Sequence, residues 1–533
     1  MRLPALCLSL LLVLAGVSPP CAQGVSARSW EDCLKAPDRV CVLDEAIGLV
    51  NLMERTDRRQ ALIAAIAETW AQAGEIDTAT QLATQVPDRL LARIAVLREI
   101  AAALARAPQR EKAEAAFDQA LQLAYGWKNA LQRAQALYSI AQAQAAAGMK
   151  AAADTTFDGA RQAAATVRII GEKGRVTLPA PETRLAMLLQ QLAMRQAEVG
   201  EIEQALQIAR SIPYDLNTRA RTLVALADLQ MRAGSAAEET LDEALTAEHD
   251  GRAGHTLWPS FQSLGIAVRE NSFGNVRLLC DIAKAQARAG LTAKAVASFD
   301  EALRAVQAIM THDPALANQD EAIADALARV ADAQREAGLS AAARANLNRV
   351  ALAVEYTFGH DRARALARLA EVRAKAGDAA QDIFARAIES AHALSDDRQR
   401  VRALQTVATA QVDAGLRDDG ARTFAEAIEL ARLQHGLILW LPGGIADAQR
   451  RAGLIEESAA TFEEALTTTI SGNEESRLVS LIRRIVIVDN GRGKSLVAAS
   501  PTLRIRLVEA AEAITEPLDR VEMLSAIARA LPN

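Results

Sequence analysis

The chain has 533 residues and a formal charge of −6; half of its residues are apolar, yet only 3% are aromatic. This is well past the ~250–300 residues at which a single core stops growing, so the chain must form several domains or an extended array. The scarcity of aromatics argues against a β-sandwich or barrel, and the interspersed charges with mild net acidity exclude the basic stripe of a general nucleic-acid binder.

Arg2 precedes an apolar run from Leu6 to Val17, followed by Ser18-Pro19-Pro20-Cys21-Ala22-Gln23-Gly24. A basic start, an apolar stretch of about a dozen residues and small residues after it predict a cleaved signal peptide over 1–24. The run is shorter than the ~20 apolar residues that span a bilayer, and no later stretch qualifies as transmembrane. The expected location is therefore the periplasm or outside the cell. Beyond the signal, Cys33 and Cys41 flank Pro37-Asp38. In an oxidising compartment they either staple a short helical hairpin as a disulfide or remain two separately buried thiols. Cys280 has no neighbour in sequence that suggests a partner or a base.

From residue 57 onward one phrase recurs. Ile140 to Gly148 returns as Ile282 to Gly290, Val330 to Gly338, Val407 to Gly415 and Ile445 to Gly453. Looser copies end at Gly74, Gly200, Gly234 and Gly377, and a degenerate one at Ala107. Seven residues before each Gly stands Ala (Ala141, Ala283, Ala331, Ala408 and Ala446 among them), and eight before it Ile, Leu or Val. Apolar residues three to four apart define one helix face. The small residue lets a second helix approach, and the Gly closes the first helix in the left-handed conformation. Nine residues after the Gly come Phe157, Phe299, Phe424 and Phe462, each with Ala three residues on; Phe117 and Phe384 take the same place with a shifted turn. These Phe are core plugs between two helices.

This layout resembles the tetratricopeptide repeat (TPR) family, and the whole resembles an exported bacterial TPR-like protein. The large apolar residue, the Leu and small residue, the turn Gly, and the later Ala, aromatic and Ala fall at that family's offsets, best at Ala153-Phe157-Ala160 and Ala295-Phe299-Ala302. The chain departs from it at the position four before the Gly, where Gln144, Gln196, Gln230, Gln286, Gln334, Gln411 and Gln449 replace the usual Tyr. The resemblance implies an all-α, right-handed α-solenoid of antiparallel helix pairs. The expected divisions are 25–56 as an N-terminal helical cap and 57–247 as repeats with an insertion at 168–183. A second insertion at 248–275, repeats over 276–470 and a C-terminal helical cap at 471–533 follow.

Asp-Arg pairs (Asp57-Arg58, Asp88-Arg89, Asp361-Arg362, Asp397-Arg398, Asp519-Arg520) open several units. The Asp suits a helix N-cap, and the Arg a tie between units. Catalytic constellations are not found. Gly491-Arg492-Gly493-Lys494-Ser495 has Val488 where a phosphate-binding loop needs its first Gly. Glu474-Glu475-Ser476 lacks the segment that follows the catalytic Glu-Ser of soluble lytic transglycosylases. The six His fall near predicted loops without metal-ligand spacing, so neither metal nor cofactor is expected.

The resemblance further implies that the first helix of each unit lines a concave face. Thirteen residues before the Gly this places Arg221, Arg277, Arg364 and Arg402, and six before it Glu68, Asp228, Asp332, Glu371 and Asp447. These rows either grip an extended protein or peptide partner through charge-assisted bonds or are ordinary i,i+4 helix pairs such as Asp228-Arg232, Glu371-Lys375 and Asp447-Arg451. The expected function is a non-catalytic scaffold. A cell-envelope enzyme or a structural assembly component, with the insertions forming the site, is the alternative.

Overall fold

The computed structural model describes residues 29–54, 56–88, 91–167, 181–213, 216–255, 265–311, 320–433, 442–472, 474–489 and 495–532. Among these residues every regular element is a helix. α1 (Trp30–Lys35) and α2 (Arg39–Asn51) come first, stapled by a Cys33–Cys41 disulfide with Cα atoms 5.9 Å apart.

Antiparallel pairs follow. α3 (Asp57–Ala73) packs with α4 (Ile76–Ala83), α5 (Leu91–Arg106) with α6 (Arg110–Gly126), and α7 (Ala130–Ala146) with α8 (Lys150–Ala165). Next come α9 (Pro181–Glu198) with α10 (Ile202–Arg210), α11 (Leu216–Arg232) with α12 (Glu238–His255), and α13 (Gly265–Arg288) with α14 (Thr292–Thr311). α15 (Asp320–Glu336) pairs with α16 (Ser340–Val354), and α17 (Gly359–Lys375) with α18 (Gln381–His392). α19 (Asp397–Asp413) pairs with α20 (Arg417–Leu433), and α21 (Pro442–Arg451) with α22 (Ile455–Ser471). α23 (Glu475–Asp489), the short α24 (Leu496–Ala499), α25 (Pro501–Glu512) and α26 (Pro517–Ala530) complete the chain. The stretch read as a second insertion thus holds the end of α12 and the start of α13. Most of 168–183, together with Trp258 and Phe261, lies outside the described residues.

The repeated residues do what their spacing demands. Ala67, Ala141, Ala193, Ala227, Ala283, Ala331, Ala370, Ala408 and Ala446 are all fully buried where the two helices of a unit cross, and the six Phe plugs are buried beside them. At Gly420 the approach is closer still: a Cβ there would lie 2.8 Å from the carbonyl oxygen of Ala408. The turn glycines have positive φ, and in the degenerate unit Pro108 stands in their place at φ 22°. The backbone N–H after each Gly donates to the carbonyl of the residue four before it, for example Leu291 to Gln286 and Leu416 to Gln411, which closes the helix end.

Among the described residues Oε1 of Gln144 and Gln230 is buried without a partner, but in four other units the Gln that replaces the family's Tyr has a side-chain role. Its Oε1 accepts a 2.8 Å hydrogen bond from a residue twelve further on: from Ser298 to Gln286, Asn346 to Gln334, Thr423 to Gln411 and Thr461 to Gln449. Each is a buried polar clasp between the two helices of one unit, satisfied on both sides.

First helices of successive units pack side by side, from α3 on α5 through α21 on α23 and then α23 on α26. The series does not end there, because α26 packs on α3. α2 fills the second-helix place beside α26 and then rests on α3, as every second helix rests on the next unit's first helix. The solenoid is closed: among the described residues α23 packs with α25 as an eleventh pair, and a twelfth is assembled from the two ends of the chain, α26 with α2. The end segments read as caps cover each other. Val42, Leu43, Ala46 and Val50 of α2 and Val521, Leu524, Ile527 and Ala528 of α26 are buried, in one apolar core that takes in both ends. Arg39 donates to the carbonyls of Ala528 and Leu531 at the end of α26. Arg520 pairs with Glu45 and Arg58 with Asp519, each at 3.0 Å.

A second recurrent brace ties unit to unit. Arg59, Arg133, Arg219 and Arg400, each fifteen before its turn Gly, donate to the last carbonyls of the preceding second helix: Val50 (2.8 Å), Trp127 (2.7 Å), Ile212 (2.9 Å) and Leu394 (2.6 Å). A guanidinium is well placed there, where unpaired carbonyls and the negative end of the helix dipole coincide. Of the Asp-Arg pairs, Arg58 and Arg520 tie units together as expected, but Asp57 and Asp397 do not cap. The caps are Thr56 and Asp396, so Asp57 and Asp397 stand at the first helical position and act on the dipole instead.

Candidate functional site

First helices touch neighbours of their own kind on both sides, whereas the second helices reach the next unit mainly through its first helix. The first helices therefore form the inner layer of the ring, and the positions thirteen and six before the turn, two helical turns apart, share its inward stripe.

The two rows differ in state. Four members of the acidic row, all but Glu68, are tied into ion pairs. Asp228 holds Arg288 of the next first helix at 2.8 Å, not Arg232 of its own. Asp332 pairs with Arg335 at 2.8 Å and Arg368 at 3.5 Å. Glu371 takes Arg368 at 2.7 Å and Lys375 at 2.6 Å, the latter the i,i+4 pair expected. Asp447 pairs with Arg484 of α23 and not with Arg451. Long basic side chains reach the next helix here because the first helices lie so close. The arginine row is exposed: among the described residues Arg221, Arg277 and Arg402 make no ion pair or hydrogen bond through their guanidinium groups, and Arg364 is exposed beside them.

Between α15, α17, α19 and α21 the stripe deepens into a groove of about 320 Å³ lined by Arg329, Arg364, Arg368, Glu371, Asp413 and Arg451. Burial works against the charge of Arg368, but the carboxylates of Glu371, Asp325 and Asp332 hold its pKa above the usual value. Burial, then the Glu371 carboxylate, pushes the Asp413 carboxyl upward.

Glu68, on α3 at the closure, has its protonation set mainly by burial. Burial pushes its carboxyl up to about 7, with Glu99 adding and Arg98 and Arg529 of α26 opposing. The folded chain then holds this proton more tightly than the unfolded chain, so stability falls as pH rises from 4.5 to about 7 and stays lower above. Glu68→Gln is expected to flatten that slope. Urea melts should show a gain on the order of 2 kcal/mol at pH 8 and almost none at pH 4. An equal effect at both pH values refutes this assignment.

Other candidates resolve into structural roles. Glu475 accepts from the backbone N–H groups of Thr515 and Glu516, both at 2.8 Å, and so anchors the turn into α26; those bonds hold its carboxyl below the usual range. Ser495 caps α24, while Gly491 to Lys494 lie outside the described residues. Cys280 is buried, which pushes its thiol up to about 12 and keeps it protonated. Among the described residues Glu248, His249 and Glu301 are close enough to share a cation. His249 is on α12, not in a loop, and bridges to Glu301 of α14 at 2.8 Å, just as His392 of α18 bridges to Glu426 of α20. Both are ties between neighbouring second helices. His312 and His435 lie outside the described residues, and no described helix is long and apolar enough to cross a membrane.

Fold and inner face together define an all-α helical-repeat protein with TPR-like units, closed into a ring. No family model matches the chain, and no curated protein matches it. Solved structures that align with it include a circular tandem repeat protein with novel repeat topology (14% identity, 92% of this chain and 96% of that one, TM-score 0.24). Others are Ton1535 from Thermococcus onnurineus NA1 (16%, 68% and 94%, TM-score 0.24) and a Rap protein complexed with competence and sporulation factor (13%, 75% and 98%, TM-score 0.22). Alignments at these scores carry no argument, and the architecture rests on the chain's own helices.

Proposed function

We propose that this chain is an exported, non-catalytic scaffold of the TPR kind that holds a protein or peptide partner on the inner face of its ring. One observation carries the reading: Asp228, Asp332 and Asp447 of the inner stripe are bound to neighbouring helices, while among the described residues Arg221, Arg277 and Arg402 beside them are exposed, their guanidinium groups without ion-pair or hydrogen-bond partners. A closed array of helix pairs presents a large, rigid surface, and surface is what repeat proteins contribute. The Cys33–Cys41 disulfide supports an oxidising compartment and hence export. The interspersed inner carboxylates speak against nucleic acid as the partner.

The chain from Val25 onward, used as bait with in-situ crosslinking on an envelope extract, is expected to capture a partner. Arg277→Glu/Arg364→Glu/Arg402→Glu should lose it, while the outer-layer control Arg386→Glu/Arg432→Glu should keep it. Capture that survives the inner reversal, or is lost only in the outer one, overturns the reading.

A further inference from the structure

We infer that Glu248 and His249 of α12 and Glu301 of α14 form a three-ligand site for a divalent transition-metal ion of the zinc kind. The site lies in the outer layer, between two second helices, and does not rest on the inner-face reading above.

Its basis is a position where the repeat breaks its own rule. Second helices are tied to one another in a regular way: the residue eight after the core plug pairs with the residue two after the plug of the next second helix. Glu355 pairs so with Arg386 at 2.7 Å, Arg432 with Glu464 at 2.5 Å, and His392 with Glu426. His249 and Glu301 make one more such tie at 2.8 Å, with Leu241 and Phe299 as the buried plugs. The tie accounts for both residues and leaves Glu248 unexplained. Seven after the plug, the other units carry a small uncharged residue: Ala124 in α6, Ala164 in α8, Val306 in α14, Val354 in α16, Ala391 in α18, Ala431 in α20 and Thr469 in α22, all buried. In α12 that place holds a carboxylate, and Glu248 is 0% exposed. Burying a carboxylate where Ala or Val packs is costly unless a cation meets it, and local rules are broken chiefly where function requires it.

The geometry fits an ion. His249 Nε2 lies 2.8 Å from Glu301 Oε1 and 3.9 Å from Glu248 Oε2, and ligand atoms of the three residues all fall within 4.8 Å of one another. Around a tetrahedral ion held at about 2.0–2.2 Å, ligand atoms stand about 3.4 Å apart, so side-chain movements on the order of 1 Å close the set. The imidazole carries its proton on Nδ1 when Nε2 takes the metal, and the two carboxylates balance the charge of the ion. One nitrogen and two oxygens suit zinc and its neighbours, whereas calcium takes a larger, all-oxygen shell. Three protein ligands leave a fourth position, and His249 is half exposed, so water reaches it. His392 is the internal contrast: it makes the same tie, but Ala391 stands where the third ligand would be. Sequence spacing hides the set, because Glu248 and His249 are neighbours in the chain and Glu301 comes from the next second helix.

The test uses the tag-free chain from Val25, stripped of metal with a chelator, and zinc or cobalt(II) as the probe. One equivalent of zinc is expected to bind and to raise the melting temperature, and cobalt to give the visible absorption of a tetrahedral site. Glu248→Ala installs the residue found at this place in α6, α8, α18 and α20. It should weaken zinc binding about tenfold or more and lose the cobalt spectrum, as should His249→Ala, while His392→Ala keeps both. Without metal, Glu248→Ala should melt no lower than the parent, because it removes a buried charge. A parent that takes up no zinc, or a Glu248→Ala variant that binds it as tightly, overturns the site. Equal loss in His392→Ala assigns the zinc to surface histidines at large and refutes it too. Tighter binding of calcium than of zinc rules out the metal class. A metal-free Glu248→Ala that melts well below the parent assigns Glu248 to a structural ion pair and sinks the inference.

Discussion

Ending the chain after Thr515, which removes α26, is expected to abolish the cooperative thermal transition of the ring and to yield a concentration-dependent oligomer. The helix buries Val521, Met523, Leu524, Ile527 and Ala528, and its loss uncovers Val42, Leu43, Ala46 and Val50 on α2. Each large side chain re-exposed costs roughly 1.5–3 kcal/mol, so the total is on the order of 10 kcal/mol, comparable to the whole stability of an ordinary domain. Open solenoids tolerate ends because terminal repeats carry a polar outer face. Here neither end does: α2 is apolar toward α26 and α26 toward α2 and α3. The truncated chain thus exposes a groove shaped for one helix, and a neighbouring chain's apolar face is the nearest substitute. Sedimentation should show self-association, and scattering an expanded particle. A peptide spanning 516–533, added in trans, should restore the monomer and raise the melting temperature. A truncated chain that stays monomeric with an unchanged melting temperature would falsify the closure.

Much of this architecture was legible in the chain, and the reason is periodicity. A turn Gly, a buried Ala seven before it and a Phe nine after it recur because every unit solves the same packing problem, and those columns alone predict the helix pairs. The Cys33–Cys41 spacing likewise allowed the disulfide that the structure contains. Closure was not legible. The apolar face of α26 repeats at three and four residues like that of any terminal helix, and nothing local says that it will meet α2, which lies nearly five hundred residues earlier. The role of the substituted Gln was also hidden, because its partner stands twelve residues on across a turn; the Ser, Asn or Thr eight after Gly290, Gly338, Gly415 and Gly453 was the available signal. Arg59, Arg133, Arg219 and Arg400 form a column just as regular as the glycines, but it ties one unit to the one before and so escapes a search within units. The inner stripe was half legible. Offsets put arginines and acids on one face, but the choice of Arg288 for Asp228 and Arg484 for Asp447 depends on how near the next helix lies.

Phe424→Ala tests whether closure makes the units share their stability. Phe424 is fully buried in the core between α19 and α20, among Leu404, Ala408, Ala427 and Ile445, and its truncation should cost about 3–5 kcal/mol. Where that loss is felt depends on topology. In an open array each unit leans on its nearest neighbours, an end frays by breaking one interface, and a defect near one end leaves the other end untouched. In a ring no end exists, and the first opening must break two interfaces at once. Once a weakened unit has opened, the remaining units become an open array with two frayed ends. Hydrogen exchange in Phe424→Ala should therefore accelerate not only in α19 and α20 but also in α5 to α8 on the far side of the ring. The same substitution in the chain ended after Thr515 should accelerate exchange only near α19 and α20. A full-length variant whose loss of protection stays confined to those two helices would mean that the closing unit opens independently, and that α26 acts as a latch on an otherwise linear array.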